Sequence, residues 1–142
     1  MKQTLKVKKN GDIEQFIVFF FVFVSMAVIF VGYIYWTASV EKCYDLQRIA
    51  NEYQYRIESD GYLTETNKES LLENLTDNGL KNISLDDTDF IPIQYGQEVK
   101  LHIQGDVEVY DFKVDFVKLE FKFDKKDVRF DVTRKTTSHG IS

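Results

Sequence analysis

From Gln15 to Val40 the chain runs for 26 residues without a charged side chain. Within that stretch, residues 16–36 (FIVFFFVFVSMAVIFVGYIYW) are apolar at every helical face, with only Ser25 and Gly32 not strongly so. A soluble helix needs a polar side, and this one has none. As an α-helix the 21 residues span roughly 31 Å, close to the roughly 30 Å hydrocarbon core of a bilayer. Tyr33, Tyr35 and Trp36 gather at one end, where amphipathic rings favour the headgroup layer. At the other end stand Lys2, Lys6, Lys8 and Lys9, with no acid before Asp12. The excess of lysine places residues 1–11 in the cytoplasm and the C-terminal part on the far side of the cell membrane. A cleavable secretory signal has a shorter apolar run, of about 7–15 residues, and a small-x-small exit. Bulky Tyr35 and Trp36 stand where that exit belongs, so the segment reads as a single-pass anchor over residues 12–40.

The helix is expected to outlast the membrane. No Pro or Gly interrupts the chain between Gly32 and Gly61. Cys43, Leu46, Ala50, Tyr53 and Ile57 recur at spacings of three and four, a single stripe, while Glu41, Asp45, Arg48, Glu52 and Arg56 take the other face. One helix over residues 12–59 would be roughly 70 Å long. Asp12 and Gln15 have the spacing of an N-terminal cap, and Glu14 complements the positive end of the helix.

Beyond Asp60-Gly61 the pattern predicts a small domain over residues 41–135 and a flexible tail at 136–142. Thr66 and Glu69 have capping-box spacing, and Leu71, Leu72 and Leu75 form a short stripe, which predicts a second helix over 67–77 stopped by Asn78-Gly79. The period then becomes two. Val99, Leu101, Ile103, Val107 and Val109 alternate with polar residues, and Gly105-Asp106 suggests a bulge or turn. Phe112, Val114 and Phe116 continue the alternation. The phase slips to Val117, Leu119, Phe121 and Phe123, which suggests a bulge near Phe116-Val117. Asp124–Asp127 reads as a polar turn before Val128, Phe130 and Val132, and residues 83–85 offer a further strand. The fold class is therefore α+β: a long N-terminal helix, its lower half transmembrane, packed through residues 46–57 on an antiparallel sheet of three or four strands. The polar residues 134–142 read as a frayed end.

Charge divides along the same line. The first eleven residues carry four lysines, leaving 14 basic against 23 acidic residues for the rest. An acidic folded part argues against nucleic acid as a partner. The single cysteine, Cys43, rules out an internal disulfide and leaves two roles open, a small core residue or a bridge to a partner's thiol. No catalytic, cofactor-binding or metal-binding motif stands out. His102 has no Cys or His neighbour at ligand spacing and, between Leu101 and Ile103, reads as solvent-facing. Asp86, Asp87 and Asp89 lack the Gly and closing Glu of a calcium loop. Enzymatic activity is not expected.

A lysine-rich leader ending in Gly11, acids just after it, an apolar helix passing into an amphipathic one and a small antiparallel sheet together resemble the type IV pilin plan. In compact size and lack of disulfides the chain is similar to TadE-like minor pilins. The resemblance implies a structural subunit of a surface filament, secretion or conjugation-associated assembly. It implies prepilin-peptidase cleavage between Gly11 and Asp12, and a role for Glu14 in registering neighbouring subunits, although Glu14 stands third after the cut where the family's glutamate stands fifth. Ser25, Ala27 and Gly32 would let helices approach closely. Its partners would then be the bilayer, other pilin-like subunits or assembly proteins, and the peptidase. The alternative is a permanently anchored accessory subunit whose outer domain binds another exported protein, with the edge around residues 128–132 as the contact.

Overall fold

The computed structural model describes residues 4–115, 117–118 and 120–139, with side chains from residue 11 onward. One helix, α1 (Thr4–Asp60), runs for 57 residues, about 85 Å. It passes through Gly11 and Asp12 without a break, so the expected cap at Asp12 and Gln15 is not formed. Nothing in 4–11 forces the backbone out of helical geometry, and a glycine there costs only about 1 kcal/mol. The other end comes where the sequence placed it. Gly61 adopts φ +76° and its N–H donates to the Ile57 carbonyl at 2.7 Å, closing the last turn.

Helix α2 (Glu65–Asp77) starts two residues earlier than the capping-box spacing indicated. Its N-cap is Thr64, in extended geometry, whose Oγ1 accepts from the Asn67 N–H at 3.3 Å. The Thr66 and Glu69 pair therefore lies inside the helix. Asn78 and Gly79 (φ +86°) end it as expected.

Three antiparallel strands follow in the order β1 (Leu80–Ser84), β2 (Glu98–Asp115) and β3 (Glu120–Thr137). The β2–β3 pairing is continuous from Glu98↔Thr137 to Asp115↔Glu120. Three sequence expectations change here. Gly105 pairs with Phe130 in the unbroken ladder, and the irregularity lies in β1 instead, between Lys81 and Ser84, where Asn82 takes φ +50°. The slip of phase near Phe116-Val117 is the hairpin reversal itself, with Asp115 Oδ1 accepting from the Val117 and Lys118 N–H groups. A chain that turns back onto the same face shows the same phase change as a bulge. Phe116 and Leu119 lie outside the described residues. Residues 124–127 are not a turn but mid-strand, paired with Asp111, Tyr110, Val109 and Glu108. Their polarity reflects an exposed ribbon.

The core lies between the upper half of α1, α2 and the inner sheet. Leu46, Ala50, Tyr53 and Ile57 are buried, as the stripe indicated, against Leu71, Leu75, Leu101 and Ile103. The Tyr53 hydroxyl, deep in that contact, accepts from Asn74 Nδ2 at 2.9 Å. Gly105 is glycine because the Leu80 side chain occupies its Cβ position: an added Cβ would lie 2.6 Å from Leu80 Cγ. The end of the described chain is pinned rather than frayed. Ser138 is fully buried, its N–H donating to the Gln97 carbonyl at 2.8 Å, and the His139 N–H donates to the Glu58 carbonyl at 2.8 Å.

Candidate functional site

The lower half of α1 is the most distinctive surface of the molecule. The helix contains a segment long and apolar enough to cross a membrane, and none of that segment is buried inside the chain. Gly11, Asp12 and Glu14 lie on its exposed N-terminal part. A Cβ at Gly11 would meet nothing within 4 Å, so the fold has no steric need of glycine there. Ser25 uses its hydroxyl internally, donating to the Phe21 carbonyl at 2.8 Å. Cys43 is a free, half-buried thiol beside Trp36, Tyr44 and Tyr110.

One feature of this region was missed from sequence: the outer half of the β2–β3 hairpin runs back along α1. Gly32 faces the Phe112 ring, with 3.5 Å between its Cβ position and the ring edge. Tyr35 packs on Phe123 and Tyr110, with centroids 4.7 Å and 5.5 Å apart. Two apolar clefts of about 330 and 560 Å³ flank the seam; Ala27 lines one and Ser25 the other, with Phe112 and Phe121 in both. The small residues of the helix thus meet this chain's own hairpin. The signal was present as the alternation of Phe112 and Val114 with Asp111, Lys113 and Asp115, and of Phe121 and Phe123 with Glu120, Lys122 and Asp124. Lys113 pairs with Asp111 at 3.4 Å and Lys122 with Glu120 at 3.5 Å, which places these charges together on the face turned from the helix.

The depth of this contact matters. From Trp36 to Val24 the helix descends about 18 Å, and Val24 still lines the seam. A bilayer core drawn from residue 16 to 36 would enclose the charged face of the hairpin. Each Asp or Lys near the middle of that core costs about 2.5–3.5 kcal/mol, and the unpaired outer edge of β3 adds several more. Lipid around that length of helix and a hairpin docked on it are mutually exclusive.

A second cluster surrounds His102, which is buried rather than solvent-facing. The loop after β1 covers its side of the sheet, and the Thr88 hydroxyl accepts from the His102 N–H and donates to its carbonyl, both at 3.0 Å. Alternation along β2 fails as a guide here because both faces are covered. Imidazole Nδ1 lies 2.8 Å from the Asp86 carbonyl oxygen and Nε2 lies 2.9 Å from Asp131 Oδ1. Gln104 Nε2 donates to Asp131 Oδ2 at 3.0 Å, and Arg129 donates to Gln104 Oε1 at 2.9 Å. Of the three acids in the loop, Asp89 accepts the Lys100 N–H at 2.7 Å and Asp87 pairs with the Lys100 ammonium at 3.6 Å. Among the described residues no three His, Cys, Asp or Glu side chains converge in a metal-binding group. The cluster fastens the loop to the sheet, and no hydroxyl or thiol nucleophile is directed at the imidazole by these bonds.

The hydrogen bond from His102, helped by Gln104 and Arg129, holds the Asp131 carboxyl below its ordinary value. A lowered folded value contributes stability that is present above the unfolded value near 3.8 and is lost as pH falls through the folded one. Asp131→Asn is therefore expected to lower the thermal midpoint at pH 7, whereas at an acid pH below the lowered folded value of Asp131 the difference from the parent closes. Thermal melts at the two pH values check this.

The fold and this surface define a class: an α+β chain with a long, exposed apolar N-terminal helix packed on a three-stranded antiparallel sheet. No protein-family model, curated protein or solved structure matches the chain.

Proposed function

We propose that this protein is a pilin-like structural subunit of a surface filament, secretion or conjugation-associated assembly, held in the cell membrane by the lower half of α1. Residues 1–11 lie in the cytoplasm and the α+β domain outside. The observation that carries the reading is the unbroken 57-residue helix, apolar and exposed below, and built into the domain core through Leu46, Ala50, Tyr53 and Ile57 above. Such a helix cannot move independently of its domain, so any packing of its lower half is transmitted to the domain's position. The absence of any steric need for glycine at Gly11 supports a role in peptidase recognition. Glu14, exposed on the helix, is free to meet the amino terminus of a neighbouring subunit.

A permanently anchored accessory subunit is the second reading. It is favoured by β3, an edge strand of 18 residues whose outer side has no neighbour among the described strands. Intact mass of the protein from native membranes separates the two. Loss of residues 1–11, abolished by Gly11→Ala without loss of the folded domain, is the result expected of the pilin-like subunit. Retention of those residues in the assembled protein overturns it in favour of the anchor.

A further inference from the structure

We propose that, with α1 in a bilayer, the outer half of the β2–β3 hairpin leaves the helix and lies on the outer lipid surface, with Phe112, Val114, Phe121 and Phe123 turned into the boundary between headgroups and acyl chains. The inference rests on the membrane reading of α1. Its partner is a lipid surface, and three observations select it.

The first is the conflict of depth: lipid cannot surround α1 between Val24 and Tyr35 while a charged ribbon is docked there. The second is the make-up of residues 111–115 and 120–124. Register pairs Phe112 with Phe123 and Val114 with Phe121 on one face, and Asp111 with Asp124 and Lys113 with Lys122 on the other. A two-sided ribbon of this kind suits an interface, with one side in lipid and the other in water. Acids and lysines are mixed on the wet side, so the attraction comes from the apolar face and needs no anionic headgroup. The third is how the ribbon is held. Tyr110 N–H donates to Ser39 Oγ at 3.2 Å and Lys42 Nζ donates to the Glu108 carbonyl at 3.4 Å. Beyond these, among the described residues, no hydrogen bond or ion pair ties residues 111–115 and 120–124 to α1; the contacts are of rings and aliphatic groups. Lifting this part therefore breaks no polar bond to the helix, and lipid replaces every apolar contact it gives up. Residues 108–110, level with the ring cluster at Tyr35 and Trp36, are the bend.

The test uses the full chain carrying Cys43→Ser, reconstituted in phosphatidylcholine vesicles. Gly32→Cys with Phe112→Cys reports the docked hairpin through a short bis-maleimide, and Ser39→Cys with Tyr110→Cys serves as the upper pair, at the bend. A dye placed through Phe121→Cys, or through Val114→Cys should the first fold poorly, reports depth through nitroxide lipids labelled near the headgroup or near the bilayer centre. The expected result is cross-linking of the upper pair, loss of cross-linking in the lower pair, and quenching chiefly by the shallow nitroxide. Cross-linking of the lower pair in vesicles overturns the proposal, as does a dye quenched chiefly by the deep nitroxide or by neither. Release of the protein by alkaline carbonate overturns the membrane reading with it; retention with a docked or water-borne hairpin overturns the hairpin proposal alone.

Discussion

Gly105→Val is expected to destabilise the domain by about 3 kcal/mol, the upper end of the usual cost of overpacking. Strand propensity alone points the other way, because glycine within a strand is worse than alanine by about 0.5–1 kcal/mol and valine is a strong strand former. Packing decides the sign. The added Cβ would lie 2.6 Å and 2.9 Å from Leu80 Cγ and Cδ1, and 2.9 Å from the Lys81 carbonyl oxygen. Leu80 is buried in the core and has nowhere to swing, and the Lys81 oxygen is backbone, fixed by the Lys81↔Asp106 pairing. Relief therefore requires β1 to shift off β2. For a domain of this size such a loss corresponds to a fall in thermal midpoint of about 12–24 °C. Melts of the parent and the variant in the same detergent measure it, with Gly11→Ala as the contrasting glycine. That site is open and helical, and alanine there is expected to leave the midpoint unchanged or slightly raised. An unchanged or raised midpoint for Gly105→Val contradicts the packing account.

The second large effect concerns the membrane. Fourteen of residues 16–36 are Phe, Ile or Val, and at about −0.3 to −0.6 kcal/mol each they favour insertion by roughly 4–8 kcal/mol. One acid at the centre costs about 2.5–3.5 kcal/mol, which the segment can absorb. Two cost about 5–7 kcal/mol, and one of them also replaces Phe23, a favourable residue, which brings the balance near zero. Met26→Asp is thus expected to stay in the membrane fraction after alkaline carbonate, whereas Phe23→Asp combined with Met26→Asp is largely released. Equal retention of parent and double variant would mean that α1 is not held by lipid.

What could be read from sequence followed from periodicity. The stripe through Leu46, Ala50, Tyr53 and Ile57 is the core face of α1, and the stop at Gly61 is where the helix ends. The three-stranded antiparallel sheet also came through, since alternation survives where only one face is buried. The failures share a cause: a contact made by distant chain. His102 looked exposed because nothing local shows that the loop carrying Asp86 and Thr88 crosses it. Gly105 looked like a bulge because Leu80 is 25 residues away in sequence. The run 124–127 looks like a turn because its partners, Glu108 to Asp111, lie more than a dozen residues earlier and nothing local shows the pairing. Gly11, Asp12, Glu14 and Cys43 stand out as candidates from local sequence alone. The hairpin against Gly32 does not, because its approach to the helix depends on the length of an 18-residue ribbon, far beyond the usual five or six.

The orientation of α1 across the membrane is the claim on which the functional reading depends. Tyr55 is 71% exposed on the part of the helix packed against the domain. In a Cys43→Ser background, Tyr55→Cys is expected to react with a membrane-impermeant maleimide on intact cells, without permeabilisation, while the protein stays with the membrane. Labelling of that position only after the cells are opened would place the domain inside and contradict the account.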